Sequence, residues 1–152
     1  MNKITPFLWY NGRVQEALDL YQSLFPNSKV LEASRLPNGD IMSAKFELEG
    51  QQLFAFNGGP GPTFSPAVSL YVNCETQAEV DELWSKLGEG GHEDRCGWVQ
   101  DKFGLSWQIV PAILPKLLSD PDRAKAGRAM NAMLQMQKID IAALERAAAK
   151  KD

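Results

Sequence analysis

The chain has 152 residues, 44% hydrophobic and 23% charged, the proportions of a globular protein and not of a disordered or fibrous one. A net charge of −3 at pH 7 argues against general nucleic-acid binding, which normally needs a basic face. No stretch approaches the ~18 consecutive apolar residues of a membrane span, and Met1-Asn2-Lys3 leads into no signal-peptide core, so neither nucleic acid nor membrane is expected as a partner.

Ile4 to Tyr10, ITPFLWY, is a short apolar run closed by Asn11-Gly12, which predicts a buried strand ending in a turn. Val14 to Phe25 sets Val14, Ala17, Leu18, Tyr21, Leu24 and Phe25 at helical spacing, an amphipathic helix stopped by Pro26-Asn27. Lys29 to Leu36 reads as a strand as far as the turn Pro37-Asn38-Gly39. Ile41 to Leu48 alternates, with Met42, Ala44, Phe46 and Leu48 opposed to Ser43, Lys45 and Glu47, a half-buried strand. Glu49-Gly50-Gln51 turns it into another, Gln52 to Asn57.

Gly58 to Pro66, GGPGPTFSP, has linker composition, and after it the order begins again. Ala67 to Cys74 is a strand, and Thr76 to Leu87 a helix carrying Ala78, Val80, Leu83, Trp84 and Leu87. Gly88 to Asp94 is a glycine-rich turn with at most a short strand; Cys96 to Lys102 and Leu105 to Val110 form a hairpin turned at Phe103-Gly104. Beyond Pro111 the pattern becomes helical. Leu114 to Leu118 reads as a short turn, and Ser119-Asp120-Pro121 as a cap with proline at the first helical position. Asp122 to Met136 follows as a helix with Ala126, Met130, Met133, Leu134 and Gln137 along one face, and Asp140 caps a last helix, Ile141 to Lys150. This tail holds seven basic and four acidic residues from Asp122 onward, the pattern of a solvated helix face.

The two halves resemble each other. WYNG at 9–12 precedes EALDLY at 16–21, and YVNC at 71–74 precedes EVDELW at 79–84. A repeat of this length is too long for a solenoid unit and fits two fused copies of one β-α-β-β-β module around a common core. The domain reading is therefore modules at 1–57 and 66–111, a linker at 58–65, and a helical extension of the same domain at 112–152. Such pairing leaves a concave face suited to a small-molecule pocket.

A single histidine, His92, makes a site with several histidine ligands arithmetically impossible within one chain. It sits in GEGGHED, a poor platform for an oriented base. Two cysteines, Cys74 and Cys96, are too few for a disulfide scaffold and fit a reducing cytoplasm. GGPGP at 58–62 lacks the order of a phosphate loop, and no G-x-G-x-x-G joins a strand to a helix, so no cofactor is expected. What remains is aromatic and amide side chains on strands. Alternation puts Tyr10 opposite Trp9 and Gln108 opposite Trp107. Tyr10, Phe56, Ser69, Tyr71 and Gln108 are expected to line the pocket, with Trp9, Asn57 and Asp101 structural.

ITPFLWYNGRVQEALDLYQSLFPNS at the start, FNGGP at 56–60, CGWVQDKFGLSWQIVP at 96–111 and the tail from LPKLLSDPD to MQKIDIAALERA resemble the PhnB-like family, also labelled the 3-demethylubiquinone-9 3-methyltransferase domain. That family is a branch of the vicinal oxygen chelate superfamily, with the glyoxalase/bleomycin resistance fold. The resemblance implies an α+β protein of two βαβββ modules in a curved mixed sheet, commonly a homodimer. The superfamily's usual chemistry is metal-dependent, and the resemblance puts its ligand positions near Pro6, at Phe54 or Phe56, near Ala67 or Ser69, and at Gln108. Only Gln108 could ligate there, and one neutral amide cannot hold a divalent ion against water, so no metal is expected. The expected function is a cytoplasmic, metal-free, homodimeric protein that binds a small organic molecule in the concave face, with its reaction unassigned. Two alternatives stand beside it: a methyltransferase-type group transferase, and a non-catalytic module whose Met-bearing helices pair subunits.

Overall fold

The computed structural model describes residues 2–150, and contacts divide the chain into two compact units, Met1–Phe64 and Ser65–Asp152. The first contains β1 (Phe7–Tyr10), α1 (Val14–Leu24), β2 (Ser28–Arg35), β3 (Ile41–Leu48) and β4 (Gln51–Asn57). Its sheet runs β1-β4-β3-β2, with β1 parallel to β4 and the other pairs antiparallel. The crossover through α1 carries the chain to β2 at the far edge, and the β2–β3–β4 meander returns to set β4 beside β1. The β3–β4 hairpin closes through Glu49 and Gly50, both left-handed at φ 47° and 87°, the geometry that matches strand twist in a two-residue turn.

Helix α1 buries Val14, Ala17, Leu18, Tyr21 and Leu24 against Leu8, Tyr10, Ala44, Phe46, Leu53 and Ala55, all of them buried. Each large apolar side chain removed from water there is worth about 1.5–3 kcal/mol, more than a typical hydrogen bond at about 1 kcal/mol. This layer therefore dominates the unit's stability. The helix has no side-chain cap of its own. Asn57 supplies one from the end of β4: its Oδ1 accepts from the Val14 N–H at 3.2 Å, while its Nδ2 donates to the Ile41 carbonyl at 2.7 Å.

One buried position differs from the sequence pattern. Register shifts where Arg35 pairs with Ile41 after Ser34 has paired with Ser43. The bulge turns Ile41 inward at 5% exposure and leaves Met42 outside at 43%. An extra residue flips the parity of everything beyond it.

The second unit repeats the design with β5 (Ser69–Cys74), α2 (Gln77–Gly88), β6 (His92–Glu93), β7 (Trp98–Gln100) and β8 (Ser106–Pro111), then adds α3 (Ile113–Leu118), α4 (Arg123–Met133) and α5 (Ile141–Ala149). Its sheet order is β5-β8-β7-β6, again parallel only between its first two strands. The fold class is thus α+β, as the sequence predicts, with the eight strands in two four-stranded mixed sheets. Thr76 and Asp140 cap α2 and α5 by accepting from Glu79 and Ala143 N–H groups.

Three details of the tail depart from expectation. Leu114 to Leu118 belongs to α3; Pro115 lies in its first turn, where a missing N–H costs nothing. The α4 cap is Asp122 and not Ser119, and the helix buries Ala126 and Ala129. Met130 and Leu134, placed on the inner face by the sequence pattern, are 40% and 49% exposed. Small alanines let α4 approach α3 and α5 closely, and the larger side chains turn outward. Met133 and Met136 do pack against the cluster of Val110, Leu114, Leu117, Ile139 and Leu144.

The segment between α4 and α5 is bound to the rest of the unit. Met136 and Gln137 carbonyls accept from Cys96 and Gly97 at 2.8 Å each. The Gln77 side chain donates to the Ile139 carbonyl and accepts from the Ile141 N–H. Beside it, the hydrogen bond from Gln77 and then the Lys138 ammonium hold the Asp81 carboxyl below its ordinary range.

Candidate functional site

Alternation along a strand and the cross-strand register decide which side chains share a face. In the second unit Val99, Trp107 and Ile109 are buried on the α2 side, so Trp98, Gln100, Ser106 and Gln108 take the opposite face. Strand β5 sets Ser69 opposite Ser106 and Tyr71 opposite Gln108. Strand β7 sets Trp98 opposite Gln108 and Gln100 opposite Ser106, and β6 adds His92 opposite Gln100. The result is a polar face with aromatic edges.

Gln108 Nε2 donates to Ser69 Oγ at 3.1 Å, which orients the amide and leaves its oxygen available as an acceptor. Tyr71 is 48% exposed. Burial first, and then the neighbouring Cys74, hold its phenol above the usual range. Like any tyrosine it is an O–H donor at neutral pH, and the shift makes it still less suited to act as a base. Cys74 is fully buried; burial, then the Glu79 charge, pushes its thiol up to about 12. Cys96 is partly exposed. A thiol reagent should accordingly modify Cys96 in the native protein and Cys74 only after unfolding. Two equally fast phases would contradict the burial of Cys74.

In the first unit the face away from α1 is aromatic. Phe7 pairs with Phe54 and Trp9 with Phe56 along β1 and β4. Ring centres lie 5.7 Å apart for Phe7–Phe54, 5.6 Å for Phe7–Phe56 and 5.1 Å for Trp9–Phe56, the last edge to face. Lys45, opposite Phe54 in the register, carries its ammonium 5.8 Å from that ring's centre. The Trp9 indole N–H donates to the Gly59 carbonyl at 2.9 Å.

The expected lining residues therefore fall out unevenly. Ser69, Tyr71 and Gln108 share one face of the second sheet, and Phe56 stands in the aromatic cluster of the first. Tyr10 does not line an open face. It is 2% exposed, with its hydroxyl 3.0 Å from that of Tyr21 and its ring 5.2 Å from Phe64. The strand is apolar on both sides, so its sequence does not say which parity meets the helix; Leu8 and Tyr10 do, and Trp9 lies on the open side. Asn57 and Asp101 have structural roles. Asp101, 2% exposed, accepts from Phe103 N, Leu105 N and Trp107 Nε1 at 2.9–3.0 Å.

Trp98, Gln100 and Ser106 were not among the expected lining residues. The signal was present in the Phe103-Gly104 turn: counting outward from it pairs Gln100 with Ser106 and Trp98 with Gln108.

The positions that correspond to the superfamily's metal ligands offer little to a divalent ion. Pro6 and Ala67 precede the strands, Phe54 and Phe56 carry no donor, and Ser69 and Gln108 supply a hydroxyl and an amide. Among the described residues no three His, Cys, Asp or Glu side chains come together. This donor set does not fit the ion. Nor does the glycine run after β4 open a helix that could receive a phosphate.

Two βαβββ units of this topology define a protein of the vicinal oxygen chelate fold. The chain belongs to the 3-demethylubiquinone-9 3-methyltransferase family, PhnB-like, whose family model matches residues 2–110. A PhnB protein from Bacillus cereus is 36% identical, with a TM-score of 0.69, over 73% of this chain and 100% of that one. Protein PA1353 from Pseudomonas aeruginosa shares the fold at 22% identity and TM-score 0.59, over 73% of this chain and 98% of that one. The fosfomycin resistance protein FosX from Listeria monocytogenes, in complex with Mn(II) and sulfate, shares it at 13% identity and TM-score 0.53, over 70% and 88%. No curated protein matches the chain. Among the described residues no helix is long and apolar enough to cross a membrane.

Proposed function

We propose that the protein binds a small organic molecule on the open faces of its sheets, without a bound metal. The observation that carries this reading is the line of Ser69, Tyr71 and Gln108 on one face, with Gln108 fixed by its 3.1 Å bond to Ser69. A half-exposed phenol beside an oriented amide offers such a ligand a donor and an acceptor on one face. Phe56 and its aromatic neighbours give the first unit an apolar open face of its own. The neutral donor set supports a metal-free site. In this reading the chain works as a cytoplasmic homodimer, with modules 1–57 and 66–111, linker 58–65 and extension 112–152 as parts of one domain.

The test is a panel of small metabolites with melting temperature as the readout. A ligand at a hundred times its Kd stabilises by about 2.7 kcal/mol, easily seen in a melt. Gln108→Leu is expected to abolish that shift while leaving the unliganded melting temperature nearly unchanged. A panel with no shift at millimolar concentration sinks the binding reading. The description of the family favours a second reading, group transfer of a methyltransferase type. S-adenosylmethionine titrated by calorimetry decides it: heat with a defined stoichiometry supports it, and a flat trace removes it.

A further inference from the structure

We propose that the second unit carries a subsite for a primary ammonium group, lined by Pro66, Asp94, Trp98, Val99, Gln100 and Ser106. This names the polar head that the face would accept, and it rests on the reading above for the rest of the ligand only. The cavity measures about 20 Å³. On that scale a polar site needs at least about 10–15 Å³ to hold a water, so there is room for one water or one ammonium and for nothing larger.

Ser106 marks the site as built. It is 3% exposed, yet among the described residues its hydroxyl makes no hydrogen bond. Ser106 lines the cavity, so an occupant there can bond the hydroxyl. Its register partner Gln100 and the Trp98 indole N–H likewise make no side-chain hydrogen bond among the described residues. Asp94 is tied to β7 by its backbone N–H to the Trp98 carbonyl at 3.0 Å. Its Oδ1 accepts from the Arg95 N–H at 2.9 Å, and its Oδ2 is left for an occupant.

The chemistry of these groups selects the occupant. The Asp94 carboxylate, the Gln100 amide oxygen and the Ser106 hydroxyl can accept the three N–H bonds of an ammonium. The Trp98 ring adds an indole face, the best of the aromatic surfaces for a cation. Among the six lining residues Asp94, itself exposed, alone bears a formal charge, and its sign favours an ammonium over an anion. Charges nearby, Glu93 and Arg95, are exposed and do not line the cavity.

The test is a titration of the full chain with n-butylammonium chloride, followed through the indole N–H resonances, with Trp98→Phe identifying the signal of Trp98. A saturable shift of that signal is expected, absent with sodium chloride at equal ionic strength. Asp94→Asn should weaken binding about tenfold, the scale of a hydrogen bond to a charged group, and Ser106→Ala should weaken it several-fold. The isosteric 1-butanol separates charge from shape: equal affinity for the alcohol would overturn the cation assignment. No saturable shift up to about 0.1 M, where the weakest specific heads should still register, would leave a water site only and overturn the proposal. Gln108→Leu lies outside the cavity and should leave this titration unchanged, so the subsite and the larger binding reading fail separately.

Discussion

Asp101→Ala is expected to lower the stability of the second unit by about 3–5 kcal/mol, among the largest single-residue effects in the chain. The carboxyl group is 2% exposed and accepts from two backbone N–H groups of its own turn, Phe103 and Leu105, and from the Trp107 indole. Alanine removes the acceptor from two buried donors, Leu105 N–H and the Trp107 indole, and from the half-buried Phe103 N–H, so the loss includes desolvation and not merely the bonds. Trp107 is itself a fully buried anchor of the α2 layer, so the turn and the core fail together. Asp101→Asn is a sharper probe. Its amide can still serve the two backbone donors through its oxygen but sets an N–H₂ against the indole N–H, for an expected cost of about 1–3 kcal/mol. Urea unfolding followed by tryptophan fluorescence measures both. An alanine variant within 1 kcal/mol of the parent would mean that water replaces the carboxyl, and the argument would fail.

The helices and strands of both units were legible because their periodicities are strong and their turns carry glycine or proline at the required positions. Val14, Ala17, Leu18, Tyr21 and Leu24 bury as their spacing says. What escaped is set by interactions that local pattern does not encode. The bulge that exchanges Met42 for Ile41 depends on the pairing of β2 with β3, and nothing in IMSAKFEL distinguishes the two parities at its first residues. The sequence reading set Ala126 on the inner face of α4 correctly but missed Ala129, because alanine carries little hydrophobic signal although close helix packing is where small residues are most useful. Methionine and leucine at 130 and 134 carry a strong signal and yet face outward.

The candidate site was legible in proportion to how polar its strands are. On β5 and β8 a serine, a tyrosine and a glutamine interrupt apolar runs, and alternation alone places them together on one face. On β1 every residue from Phe7 to Tyr10 is aromatic or aliphatic, so the sequence offers two equivalent faces. The choice is made by the partner: Tyr21 on α1 offers a hydroxyl to Tyr10, and Gly59 offers a carbonyl to Trp9. The second of these depends on a glycine next to it, and this gives a way to test the aromatic face directly.

Gly58→Ala is expected to destabilise the first unit by about 2–4 kcal/mol, combining overpacking with a lost hydrogen bond. A Cβ at residue 58 would lie 2.1 Å from Cε2 and 2.3 Å from Cζ2 of Trp9, closer than any real contact. The backbone cannot retreat freely, because the Gly58 N–H donates to the Tyr10 carbonyl at 3.0 Å and continues the pairing of β1 with β4. The indole must therefore move, lose the Gly59 carbonyl and break its edge-to-face contact with Phe56. Substitution alone does not separate this clash from a backbone effect, and a double-mutant cycle does. In a Trp9→Leu background the ring atoms that meet the new Cβ are gone, and Gly58→Ala should then cost less than about 1 kcal/mol. Equal cost in both backgrounds would put the requirement for glycine in the chain path and not in the indole. The same pair reads out function: ligands that need the aromatic face of the first unit should lose affinity with Gly58→Ala, whereas butylammonium binding to the second unit should not change.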